Sequence, residues 1–175
     1  FFRNEWNLKD NLDVIVGGRW DWLHYQVTDV FKSDGNQSGV RTVSQASGSA
    51  GVVYHLSEQH QVYTHIGSVF EAPTTTELIN NPSGTGGFNP RLNAQTSLSS
   101  ELGFRGNSAG FQYDTAVFFI RTWDEITPFE LASSPGRAFF RNTGQSRRIG
   151  VETRVVTPEW KGLRGEISYT FSNFE

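Results

Sequence analysis

The chain has 175 residues, a net charge of −3 and no cysteine. The length fits one domain, the missing thiols exclude disulfides and thiolate metal sites, and the acidic balance excludes a general nucleic-acid binder. Aromatic residues reach 14%, yet only 36% of the chain is hydrophobic, and a water-soluble core this rich in rings would carry more Leu and Ile beside them. No run approaches the roughly 18 apolar residues of a membrane helix. Phe1-Phe2-Arg3 lacks the apolar stretch of a signal peptide, so the chain reads as an excised piece of something larger.

Alternation with a period of two recurs along the chain, and helix-period stretches are nearly absent. LDVIVGGRWDWLHY places Leu12, Val14, Val16, Gly18, Trp20 and Trp22 on one face, with Asp13, Arg19 and Asp21 on the other. SVFEAPTTTEL starts as a strand, but Pro73 has no ladder donor and stops it. SLSSELGFRG sets Leu98, Leu102 and Phe104 against Ser99, Glu101 and Arg105. FQYDTAVFF sets Phe111, Tyr113, Thr115, Val117 and Phe119 against Gln112 and Asp114. RIGVETRV sets Ile149, Val151 and Val155 against Glu152 and Arg154. LRGEISYTF sets Leu163, Ile167, Tyr169 and Phe171 against Arg164, Glu166, Ser168 and Thr170.

Short polar turns fall near 8–11, 57–60, 107–110 and 158–162, and long loops near 32–42, 71–95 and 122–146. A soluble sandwich has no reason to alternate loop lengths so strictly. An outer-membrane barrel does, with short periplasmic turns, long extracellular loops, and strands that are apolar outside and polar inside. The fold expected is therefore all-β, an antiparallel transmembrane β-barrel segment of about eight strands. Trp6, Tyr54, Tyr63, Phe104, Phe111, Tyr113 and Trp160 lie near short turns, and Trp20, Trp22, Phe70, Phe119 and Trp123 near long ones. Two interfacial girdles predict that pattern. Centring the 107–110 turn pairs Phe104 with Tyr113 and Leu98 with Phe119. Centring the last turn on Trp160 pairs Arg154 with Glu166 and avoids opposing like charges.

Five phrases, FRNEWNLKDNLDVIVGGRWDW, GSAGVVYHLSEQHQVYTHIGSVFEAPTTTEL, GFNPRLNAQTSLSSELGFRG, YDTAVFFIRTWDEITPFE and FFRNTGQSRRIGVETRV, resemble in order the second half of the barrel of TonB-dependent outer-membrane receptors. The resemblance implies a barrel of about 22 strands around a plug, of which residues 1–175 form a part, with the plug and the C-terminal strands lying elsewhere. It implies uptake of a metal chelate, most often a ferric siderophore, driven through TonB. It also implies outer-membrane lipid and lipopolysaccharide as surroundings, no enzymatic activity and no resident cofactor. A stand-alone small barrel serving as anchor or adhesin is the alternative, as is another cargo such as cobalamin, haem, copper or a sugar.

Candidate ligand contacts lie in the presumed loops: Arg137, Phe139, Phe140 and Arg141, flanked by Arg121, Trp123, Arg147 and Arg148, and in the second loop Phe88, Asn89 and Arg91. Arg offers forked donors for carboxylate, catecholate or hydroxamate oxygens, and rings offer flat contact area. The bland readings are phosphate binding, pairing with Asp124, Glu125 and Glu130, or a solvated loop. Arg19, Asp21, Glu101, Arg105, Glu152, Arg154, Arg164 and Glu166 are expected to face the lumen and a plug. His24, His55, His60 and His65 show no metal-ligand spacing, and no GxSxG, HExxH or P-loop motif occurs.

Overall fold

The structure is a computed structural model that describes residues 1–33, 35–84 and 86–175. Eight strands form one antiparallel sheet in chain order: β1 (Phe2–Lys9), β2 (Leu12–Val27), β3 (Gly39–His55), β4 (His60–Glu71), β5 (Gln95–Ser108), β6 (Phe111–Leu131), β7 (Ser134–Val156) and β8 (Glu166–Phe174). β1 and β8 pair on one side only, so the sheet is an open, continuous wall. Its two faces differ as the alternation requires. One carries Trp20, Trp22, Ile66, Leu102, Val117, Ile149 and Ile167, all exposed, although in water large apolar side chains would be covered. The other carries Arg19, Asp21, Glu101, Arg105, Asp114, Glu152 and Arg154.

The short turns are tighter than a symmetric four-residue loop. Ala109 and Gly110 both adopt positive φ, the geometry of a two-residue type I′ turn, so the ladder closes to Ser108↔Phe111. Phe104 consequently faces Thr115, and Leu98 faces Arg121. The expected pairs Phe104–Tyr113 and Leu98–Phe119 are thus displaced by one pairing step. The faces are kept, and the Phe104 and Tyr113 rings still meet diagonally with centroids 5.5 Å apart. The last turn differs likewise. Lys161 and Gly162 take positive φ inside a Trp160↔Leu163 bridge, which removes Leu163 and Arg164 from the strand and sets Arg154 opposite Ser168. Glu166 opposes Val156, yet its carboxylate accepts two bonds from the Arg154 guanidinium, at 2.8 and 2.9 Å, across the diagonal.

Two expectations about the loops fail. Residues 122–146 are not a loop, because β6 and β7 stay paired from Gln112↔Val156 to Leu131↔Ser134. The segment after β4 contains a short helix, α1 (Thr75–Ile79), with Thr74 and Glu77 closing a reciprocal capping box. Tyr63 also leaves the interfacial set. It sits on the polar face, donates to Asp114 Oδ1 at 3.0 Å and lies beneath the Arg105 guanidinium, 5.0 Å from its ring centroid. Gly103, directly opposite, makes room for the ring, since a Cβ there would overlap it.

Gly103→Val is therefore expected to cost about 1–3 kcal/mol through overpacking. The cost would be read as a lower temperature for loss of the heat-modifiable barrel band. Adding Tyr63→Ala should restore most of it, and additive losses would refute the contact.

Candidate functional site

Beyond the long-turn ends of the strands, three pieces of chain converge. Residues 72–84 and 86–94 fold over the polar face and bury Leu78, Phe88 and Leu92 together, with Tyr25, Val27, Ile79, Ile126 and Phe140 packed around them. Arg41 on β3 locks this segment. Its Nη1 donates to the Asn89 carbonyl at 3.1 Å, and its Nη2 to the Leu92 carbonyl at 2.7 Å and to Asn93 Oδ1 at 3.4 Å. Asn142 on β7 holds the far side, accepting from Asn93 N at 2.7 Å and donating to the Asn93 carbonyl at 2.9 Å. Asn89 Nδ2 adds a bond to the Phe140 carbonyl at 3.3 Å. The segment is thus a packed cap joined to the β6–β7 hairpin.

The candidate ligand contacts separate into groups. Phe88 and Asn89 are buried inside the cap and Phe139 is buried on the hairpin, while Arg91 is exposed. Arg137 and Arg141 remain exposed on β7, not on a loop. Arg137 Nε donates to Asn80 Oδ1 at 3.1 Å and its guanidinium lies 5.1 Å from the Phe139 ring. Arg141 stacks 5.0 Å from Phe129, and the Phe129 and Phe139 rings are 6.1 Å apart. Two cations and two rings therefore line one side of the hairpin. Arg121, Trp123 and Arg147 are strand residues as well, and they share the apolar face with Val117 and Ile149, away from the cap. Arg148 points oppositely and lies over the Phe174 ring.

The charged residues form a network on the polar face. Arg105 opposes Asp114, and Asp114 opposes Arg154, so signs alternate across three strands before Arg154 reaches Glu166. Arg19 binds Asp21 at 2.8 Å, Glu101 faces His65, and Glu152 faces Ala116 and Thr170. Arg164 acts from the turn, donating to Gln112 Oε1 at 3.0 Å. Asp13 accepts from Asn7 at 2.6 Å and lies 2.7 Å from His55 Nε2. His55 and His65 oppose Gln61 and Gly51 rather than each other, and among the described residues no three His, Cys, Asp or Glu side chains cluster as metal ligands do.

Arg41 and Asn142 escaped sequence reasoning. Arg41 fell in a stretch read as a loop, because the apolar residues Val40, Val43 and Ala46 do not alternate with period two. Asn142 carries no local signal, because its partners lie 49 and 18 residues away.

An antiparallel wall with a lipid-exposed apolar face, a charged inner face and structure concentrated beyond one end is that of an outer-membrane β-barrel. A family described as TonB dependent receptor-like, β-barrel matches residues 1–175. The chain belongs to that family and is part of a barrel in the outer membrane of Gram-negative bacteria. The vitamin B12 transporter BtuB of Vibrio vulnificus (strain CMCP6) is 33% identical over 70 residues, 40% of this chain and 10% of that protein. The copper transporter OprC superposes with a TM-score of 0.80 at 16% identity, covering 99% of this chain and 28% of that one. The siderophore receptor PirA from Pseudomonas aeruginosa gives 0.70 at 20% identity, covering 97% and 30%. The chain thus spans less than a third of the length of these relatives.

Arg41→Ala in the full-length receptor should release the cap, raising cleavage between residues 80 and 93 in limited proteolysis by about tenfold or more. That follows from the roughly 1.5–3 kcal/mol carried by a charged hydrogen bond. Arg41→Lys, which cannot fork, should fall between the two, and wild-type resistance in both variants would refute the lock.

Proposed function

We propose that this chain is the substrate-facing part of a TonB-energised importer of a metal chelate, with a ferric siderophore as the leading cargo. The observation that carries the reading is the match to the receptor family along the whole chain, joined to a packed cap over the polar face. A siderophore receptor and a ferric yersiniabactin uptake receptor share this fold. The open sheet speaks against a stand-alone small barrel, since unpaired strand edges are not tolerated in hydrocarbon and β1 and β8 each leave one edge unpaired. Further strands and a plug, supplied by the rest of a longer receptor, would complete the barrel and contact TonB.

In this reading Arg137 and Arg141 are the cargo contacts, with Phe129 and Phe139 stiffening them from beneath. Guanidiniums held over rings lose little freedom on binding, and their remaining donors suit carboxylate, catecholate or hydroxamate oxygens. Arg91 is a third exposed cation beside the cap. Phe88, Phe139 and Phe140 act as supports. The lumen charges hold the plug through many weak exposed pairs, each worth under about 1 kcal/mol, which suits a plug that must shift during transport. The protein acts by binding and gating, without a catalytic group. Cobalamin is the second reading, favoured by the 33% identity to a vitamin B12 transporter.

Cells expressing the full receptor with Arg137→Ala and Arg141→Ala should take up radiolabelled ferric siderophore at least about tenfold more slowly at limiting concentration, following the charged-bond magnitude above. Surface expression should be unchanged. Normal iron uptake in a receptor deletion that loses cobalamin uptake would replace the first reading with the second.

A further inference from the structure

The β6–β7 ladder omits one pair. Every residue from Gln112 to Glu130 is matched across the two strands except Asp124, which would oppose Gly144. Asp124 takes φ 55° there, in the left-handed region, a conformation that Asp tolerates better than most non-glycine residues. The break lies one residue beyond Trp123, the last β6 residue paired to β5, where a girdle marks the edge of the hydrocarbon. Beyond it the hairpin is regular again, from Glu125↔Thr143 to Glu130↔Ala138. A Thr127–Thr143 hydroxyl pair and the Phe129 and Phe139 rings tie its two strands together. A stiff arm therefore stands on a one-residue joint. Gly144 is the soft side of that joint, since a Cβ there would meet nothing within 4 Å and glycine leaves the backbone free.

Asn142 spans the joint. Its Nδ2 donates to the carbonyl of the unmatched Asp124 at 2.6 Å and to the Asn93 carbonyl at 2.9 Å, while its Oδ1 accepts from Asn93 N at 2.7 Å. Asn142 opposes Ile126, whose N donates to Gln95 Oε1 at 2.9 Å, and Gln95 Nε2 donates to Glu71 Oε2 at 2.7 Å. Two carboxamides thus brace the joint. We propose that Asn142 is a positioning residue: it sets the angle between the barrel wall and the outer hairpin at the Asp124–Gly144 joint, and so the place of Arg137 and Arg141. From Glu125 to Leu131 the arm is about 20 Å long, so a tilt of about 10° at the joint moves its far end by about 3–4 Å. Ligand contacts need placement within about 0.5 Å, far finer than an unbraced joint provides. The link to uptake rests on the reading of Arg137 and Arg141 as cargo contacts. The experiment below needs no cargo, so its failure is distinct from failure of that reading, which uptake by the Arg137→Ala, Arg141→Ala receptor decides.

The test is pulsed electron–electron double resonance on the full-length receptor in lipid vesicles. Nitroxides are attached through Gln26→Cys on β2 and Ser133→Cys at the hairpin tip, both exposed positions. The receptor with Asn142 intact should give one narrow distance. Asn142→Ala should broaden or shift it by about 3 Å or more, the displacement expected of the tilting arm. Adding Gly144→Val, which fits the open space there and stiffens the strand, should return the narrow distance although none of the Asn142 bonds is restored. Gln95→Ala, a milder cut on the other flank, should broaden the distance less than Asn142→Ala and should also be reversed by Gly144→Val. A broad distribution with Asn142 intact, a narrow one in Asn142→Ala, or broadening in either variant that Gly144→Val leaves in place would each overturn the proposal. The last outcome is decisive because stiffness at Gly144 cannot replace a residue that merely holds the cap.

Discussion

Everything in this chain follows from the requirement that backbone N–H and C=O groups inside hydrocarbon find partners within the protein. A wall of antiparallel strands meets that requirement continuously from β1 to β8. Once the backbone is committed to the ladder, side chains must alternate between two environments, because successive residues point to opposite faces. The apolar set from Val14 to Ile167 and the charged set from Arg19 to Glu166 are two consequences of one backbone geometry. Low overall hydrophobicity is then compatible with a membrane protein, since only every second residue of each strand meets lipid.

Within the polar wall, alternating charge contributes more to register than to stability. The row Arg105, Asp114, Arg154 places opposite signs in directly opposed positions on β5, β6 and β7. Each such exposed pair is weak. A slip of one pairing step would nevertheless bring Arg105 opposite Gln112 or Ala116 and lose its acidic partner. Tyr63 reinforces the same register, because its hydroxyl reaches Asp114 only while its ring lies over Gly103. Specific alignment thus comes from several weak interactions that agree.

The faces, the eight strands and the neighbourhood of the short turns were legible in the sequence because they depend on a period of two that each strand displays by itself. The registers were not. Whether NSAG closes as four residues or two depends on Ala109 and Gly110 both adopting positive φ, and Ala gives little warning of that. The same ambiguity at Lys161 and Gly162 hid the removal of Arg164 from its strand. The outer hairpin was misread because Pro128 and the irregular step near Glu130 interrupt the alternation, although the pairing continues past both. The cap over the polar face was illegible for a different reason. Its core joins Leu78, Phe88 and Leu92 to Tyr25 and Phe140, contacts spanning most of the chain, and no window of sequence contains them.

The cap changes how loop residues in such a wall should be read. An aromatic in a Gly- and Pro-rich stretch suggests a ring free to meet a ligand, but Phe88 is spent on the interior of the cap and Phe139 on the hairpin. What remains accessible are cations whose positions those rings determine: Arg91 following the buried Asn89, Arg137 over Phe139, and Arg141 over Phe129. Rigid apolar supports beneath exposed forked donors lower the entropy lost when a polar ligand is captured. Arg41 extends this logic by fixing the cap to the strand wall through backbone carbonyls. The face of β6 and β7 that bears Arg137 and Arg141 also carries Arg121 and Arg147 nearer the short turns.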